Sequence, residues 1–179
     1  MSYVPMAEVM RHFLRIEASH VKYHTRRNEI LSWGSLPDEQ LLERARCFAN
    51  ERDDTNPTLA YTIGTKKADY SSRIAYWKHE SINCAEIYTC GIAPQMCHDI
   101  AAVTGNLRDF ALKFSSKYSE FTCNQPLFQN DVVIIVVAQR KQGKNGTYEL
   151  VDGAHRLVAI CLGGVEAVEA YVGYLKNYE

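Results

Sequence analysis

The sequence lacks an excess of either charge. Twenty lysines and arginines stand against twenty-one aspartates and glutamates, a formal net charge of −1. This balance excludes the strongly basic class of nucleic-acid-binding proteins, but it does not exclude a local basic patch. The best candidate for such a patch is His20 to Arg27, for which we favour a solvated helix face over phosphate binding.

Long apolar runs are missing as well. No stretch approaches the roughly 20 apolar residues that cross a bilayer, and no basic segment followed by an apolar run marks the N-terminus. The six cysteines are scattered and come without a secretory signal, and Cys90, Cys97 and His98 depart from the Cys-x₂₋₄-Cys spacing of structural zinc sites. We therefore expect a cytoplasmic protein with free thiols and without membrane partners.

The sequence does contain enough apolar material for a packed core, since 46% of its 179 residues are hydrophobic. In the first half, Met6 to Ile16 has the three-four apolar spacing of an amphipathic helix. A second helix is predicted to start at Ser35 to Asp38 and to fade near Glu51, whereas Thr58 to Thr65 predicts a short strand or a mobile insertion. We interpret residues 1–83 as a mainly helical N-terminal extension.

From residue 84 onwards the pattern becomes that of an α/β domain. Strands are predicted over Ala85 to Ile92, Val132 to Ala138 and Val165 to Val172, and helices over His98 to Tyr118 and Ala154 to Leu162. The run of β-branched residues in Val132 to Ala138 is typical of a central strand covered on both faces. The Asn-Gly pair in Lys141 to Gly146 predicts a hairpin that places Thr147 to Val151 antiparallel to that strand.

The candidate site is the turn Val151 to Arg156, which joins a predicted strand to a predicted helix. A helix N-terminus presents unpaired backbone N–H groups and the positive end of the helix dipole, so anions bind there. Gly153 would let a ligand approach the backbone, and His155 and Arg156 would add donors for phosphate oxygens. Asp152 would cap the helix, bind Mg²⁺ or orient His155. The structural alternative is a plain chain turn in which Arg156 pairs with a surface glutamate.

The segment Tyr148 to Val172 resembles the second conserved box of the ParB/sulfiredoxin superfamily. It has a strand, a turn, a helix, a glycine stop and a closing strand in that order, and the pattern Gly-x-His-Arg-x-x-Ala appears as Gly153, His155, Arg156 and Ala159. The resemblance implies a ParB/sulfiredoxin-like α/β domain over residues 84–179. It also implies that the phosphates of a nucleotide are bound by Gly153, Ala154, His155 and Arg156.

The members of this superfamily differ in their chemistry. Sulfiredoxins carry a reactive cysteine immediately before the His-Arg pair, where this chain has Ala154, so we do not expect a sulfiredoxin activity. Partition proteins continue into a DNA-binding region, whereas this sequence stops soon after Val172. The free-serine kinases are the branch nearest in layout. The resemblance to them implies a nucleotide-dependent phosphotransferase that uses ATP or ADP and acts on a small hydroxyl compound such as a free amino acid. It also implies that Asp152 holds Mg²⁺ and that Asp152 and His155 are the catalytic residues.

A glutamate base, which those kinases place soon after the first strand, is missing here. The corresponding stretch, Gly91 to Asp99, contains no glutamate; His98 or Asp99 could replace it, as could Glu17 or Glu29 in the extension. Two alternatives stay open, a nucleotide-responsive binding module with nucleic acid or protein as its partner and a ParB-like nuclease. The sequence favours a nucleotide and a small-molecule substrate over nucleic acid as the partners.

Overall fold

The computed structural model describes residues 3–18, 21–52, 56–83, 86–88, 134–138, 148–153 and 166–176. The chain divides into two compact units, residues 1–77 and residues 78–179. The described part of the first unit is mainly helical, and that of the second unit is a sheet. The expected α/β class with N-terminal helices is therefore confirmed, while the expected domain boundary between residues 83 and 84 stays a prediction.

The described part of the first unit contains four α-helices and two 3₁₀ helices. The α-helices are α1 (Met6–Glu17), α2 (Arg27–Trp33), α3 (Asp38–Glu51) and α4 (Pro57–Thr62), and the 3₁₀ helices are Val21–Arg26 and Ser71–Arg73. Helix α1 packs against α2, α3 and α4. Its apolar stripe of Val9, Met10 and Phe13 is at most 2% exposed. The amphipathic helix predicted over Met6 to Ile16 is thus confirmed, and it forms the centre of this unit's core.

Helix α3 corresponds to the predicted second helix. It begins at Asp38, within the predicted range of Ser35 to Asp38, and Pro37 and not Ser35 occupies the N-cap position. Arg11 of α1 donates to the Asp38 carboxylate at 2.8 Å and to two carbonyls of the preceding turn, which holds the chain at this point. The helix ends at Glu51, as predicted.

The prediction of a short strand or a mobile insertion over Thr58 to Thr65 is wrong, because helix α4 occupies Pro57–Thr62. The proline stands in the first turn of the helix, and the side chain of Asn56 caps it by accepting a hydrogen bond from the N–H of Thr58 at 2.8 Å. The threonines favour a strand, but Thr62 donates its buried hydroxyl to the carbonyl of Thr58 at 2.6 Å and so is satisfied within the helix. Burial of the intervening apolar residues then outweighs β-propensity.

The remaining described elements are strands. They are β1 (Tyr3–Val4), β2 (Ile74–Asn83), β3 (Ile87–Tyr88), β4 (Ile134–Ala138), β5 (Tyr148–Leu150) and β6 (Ala167–Leu175). In the second unit the strand order is β2-β6-β4-β5-β3. Strand β4 is parallel to β6 and antiparallel to β5, and β3 is parallel to β5, so the sheet is mixed. The first residues of β2 belong to the first unit, where Tyr76 contacts Tyr3 of β1.

Most of the predicted strands are confirmed. Strand β4 falls within Val132 to Ala138 and is an interior strand. It pairs with β5 in the antiparallel sense, as predicted, and Val136 lies opposite Leu150. Strand β6 matches the predicted closing strand and continues to Leu175. Strand β2 is not among the predicted strands, although it is the longest described one.

Some predicted features lie outside the described residues. They are the helices over His98 to Tyr118 and Ala154 to Leu162, the hairpin turn, and the group Cys90, Cys97 and His98. Cys47 is described, and it is an exposed thiol without a disulfide, as expected. Within the described ranges, no helix is long and apolar enough to cross a membrane.

Replacing Asn56 by alanine should lower the free energy of unfolding by about 1 kcal/mol, because the N-terminus of α4 loses its side-chain cap. Asn56→Asp keeps an acceptor oxygen at the same position and should retain most of the stability. Urea denaturation followed by circular dichroism measures both differences. Equal losses in the two variants would show that Asn56 does not stabilise α4 by capping.

Candidate functional site

The turn that carries the predicted phosphate site follows strand β5. Leu150, the last residue of the strand, is followed by Val151, Asp152 and Gly153. Because β5 is parallel to β3, the turn lies at the carboxyl ends of two neighbouring parallel strands. Ligands of sheets with parallel strands bind preferentially at that end. The described geometry therefore puts Asp152 and Gly153 at the carboxyl end of β5, beside that of β3.

Gly153 adopts a backbone conformation that favours glycine. Its φ is 91°, and the residue is buried. A side chain is strained at this φ because its Cβ approaches the neighbouring backbone too closely, whereas glycine has no Cβ. The same absence of Cβ lets a ligand approach the backbone closely. The turn itself thus requires the glycine, and a phosphate site would use the space that it leaves.

Asp152 is half-buried and interacts with other groups of the chain. Across the described ranges there is no group of three histidine, cysteine, aspartate or glutamate side chains that could hold a metal ion. Mg²⁺ usually keeps several waters and takes one or two carboxylates together with the phosphates of a substrate. A single carboxylate such as Asp152 fits that mode of binding, and it does not fit a metal site built by the protein alone.

The other predicted site residues, Ala154, His155 and Arg156, lie outside the described residues. The structure therefore brings together only Asp152 and Gly153 of the predicted site. The phosphate contacts of the remaining three stay predictions. The same holds for His98 and Asp99 as substitutes for the missing glutamate base.

The two glutamates considered as bases from the extension both interact with other groups of the chain. Arg26 donates to both carboxylate oxygens of Glu29, at 2.7 and 2.8 Å. These hydrogen bonds lower the pKa of the Glu29 carboxyl, which makes it a weaker base. Glu17 is only 7% exposed and interacts with its own surroundings. Glu29 is thus poorly suited to accept a proton, and Glu17 is shielded from a substrate.

A polar cluster in the second unit is not indicated by the sequence. We call it the tyrosine cluster, and it consists of Lys78, Glu80, Tyr148 and Tyr174, all half-buried. The Tyr174 hydroxyl donates to a carboxylate oxygen of Glu80 at 2.5 Å. The Lys78 ammonium lies 3.9 Å from the other oxygen of Glu80 and 5.0 Å from the centre of the Tyr174 ring. The cluster therefore joins a cation, a carboxylate and two phenols in one network.

The register of the sheet explains why the two tyrosines meet. Ala138 of β4 lies opposite Tyr148 on one side and opposite Tyr174 on the other. Side chains at paired positions lie on the same face of a sheet, so Tyr148 and Tyr174 lie on one face with the backbone of β4 between their strands. The hydroxyls of Tyr148 and Tyr174 are hydrogen-bonded to each other.

Both phenols hold their protons more tightly than an exposed tyrosine does. Burial, followed by the hydrogen bond to Glu80, raises the pKa of Tyr174. Burial also raises the pKa of Tyr148. Ionisation of either phenol would place a poorly hydrated anion next to the Glu80 carboxylate. The two hydroxyls are therefore hydrogen-bond donors at neutral pH.

The tyrosine cluster is separate from the turn at Asp152 and Gly153. Tyr148 and Asp152 are four positions apart in the sequence, which in an extended chain is a distance of about 13 Å at about 3.3 Å per residue. Glu80 is farther away still, because β6 and β4 lie between β2 and β5. Glu80 therefore does not supply the missing glutamate base.

Gly153→Ala should lower the free energy of unfolding by about 1–2 kcal/mol, because an L side chain is strained at a φ of 91°. Asparagine tolerates positive φ better, so Gly153→Asn should lose less stability. Chemical denaturation of the three proteins measures the difference. A fully stable Gly153→Ala variant would mean that the turn does not have this conformation.

The free energy of unfolding should fall as the pH rises above about 10, the ordinary pKa of tyrosine. The folded chain binds the protons of Tyr174 and Tyr148 more tightly than the unfolded chain, since both pKa values are raised. Their stabilising contribution is therefore complete below that pH and is lost as the pH rises towards the folded-state values. Denaturant titrations at neutral and alkaline pH measure the effect.

Tyr174→Phe should remove most of this alkaline dependence. At neutral pH it should lower the free energy of unfolding by about 1–2 kcal/mol, because the half-buried Glu80 loses its hydrogen-bond donor. Tyr70→Phe, which changes a tyrosine that is 39% exposed in the first unit, is the control and should alter neither quantity. An alkaline slope that persists unchanged in Tyr174→Phe would contradict the role of the tyrosine cluster.

Comparison with known proteins adds no identity to this geometry. No family model, no curated protein and no solved structure matches the chain. The resemblance to the ParB/sulfiredoxin superfamily therefore depends on Tyr148 to Val172 alone and stays a prediction.

Proposed function

We propose that the chain is a nucleotide-dependent phosphotransferase, whose turn Asp152 to Arg156 binds the phosphates of ATP or ADP and whose acceptor is a small hydroxyl compound such as a free amino acid. The observation that supports this proposal is the buried Gly153, which follows β5 with a φ of 91°. In the sequence Asp-Gly-Ala-His-Arg, such a glycine would let phosphates approach the backbone N–H groups at the start of the predicted helix.

The proposal includes a ParB/sulfiredoxin-like fold for residues 84–179. Three features support it: the antiparallel pair of β4 and β5, the turn at Asp152 and Gly153, and the return of the chain in β6, parallel to β4. The ends of the connection, Gly153 and Ala167, lie on opposite sides of β4. Strands β5 and β6 run antiparallel to each other, so a helix over Ala154 to Leu162 would connect them past β4.

In the proposed reaction, the acceptor oxygen forms a bond to the terminal phosphorus of the nucleotide while the bond to the leaving phosphate breaks. Arg156 would hold phosphate oxygens with paired N–H bonds, beside the backbone N–H groups of Gly153 and Ala154. His155, oriented by Asp152, would accept the acceptor proton or donate to a phosphate oxygen. Mg²⁺, held by Asp152 and the phosphates, would neutralise charge on the transferred group.

A second candidate function is a nucleotide-responsive module that acts on nucleic acid. The observation that favours it is a group of exposed arginines, Arg27, Arg44 and Arg52, in and next to α2 and α3 of the first unit. This function needs no general base, so the lack of a glutamate in Gly91 to Asp99 does not count against it. Steep salt dependence of DNA binding would distinguish it from the kinase.

Calorimetric titration with ATP, ADP, CTP and GTP in the presence of Mg²⁺ should show binding of at least one nucleotide. Arg156→Ala should weaken that binding by about 1.5–3 kcal/mol, because a charge-assisted contact to phosphate is lost. Arg73→Ala, which removes an exposed arginine of the first unit, is the control and should leave the affinity unchanged.

Binding that is lost in Arg156→Ala and retained in Arg73→Ala would support the turn as the phosphate site and would justify a screen of hydroxyl acceptors. Equal affinity of Arg156→Ala and the native protein would refute the role of Arg156. Failure of the native protein to bind any of the four nucleotides would refute the proposed function.

A further inference from the structure

No further inference is drawn: the strongest candidate, the shallow groove along the exposed face of α3 beside the thiol of Cys47, is lined by side chains of that helix and of the turn before it, and nothing in the described part of the chain shows what covers it.

Discussion

Backbone hydrogen bonds link β4 to β5 on one side and to β6 on the other, with Val136 opposite both Leu150 and Val172. A shift of one residue in either pairing would exchange the two faces of the shifted strand. In β5, such a shift would bury Glu149 in place of Leu150, which is 5% exposed. It would also move Tyr148 away from its place beside Ala138. The turn after β5 and the tyrosine cluster therefore depend on the same register.

That register places two kinds of polar chemistry at opposite ends of β5. At one end, Tyr148, Tyr174 and Glu80 satisfy one another within the chain, with Lys78 close to the carboxylate. A half-buried network of this kind favours one packing of its strands, because a polar group that lost its hydrogen-bond partner in another packing would raise the free energy of the fold. At the other end, the polar groups proposed to bind a ligand are backbone N–H groups next to Gly153. We therefore propose the turn, and not the tyrosines, as the phosphate site.

The parts of the fold that local patterns encode were predictable. The stripe of Val9, Met10 and Phe13 and the β-branched run of β4 each indicate their element without knowledge of the rest of the chain. Helix α4 was not predictable in this way. Its threonines favour a strand, but the capping by Asn56 and the burial of the helix outweigh that preference. The sequence does indicate the glycine turn, since Asp-Gly is a local signal, but only strand pairing places it at the carboxyl ends of β3 and β5.

Contacts between distant residues account for most of what the sequence did not reveal. Glu80 and Tyr174 are 94 residues apart in the chain, and no spacing rule connects them.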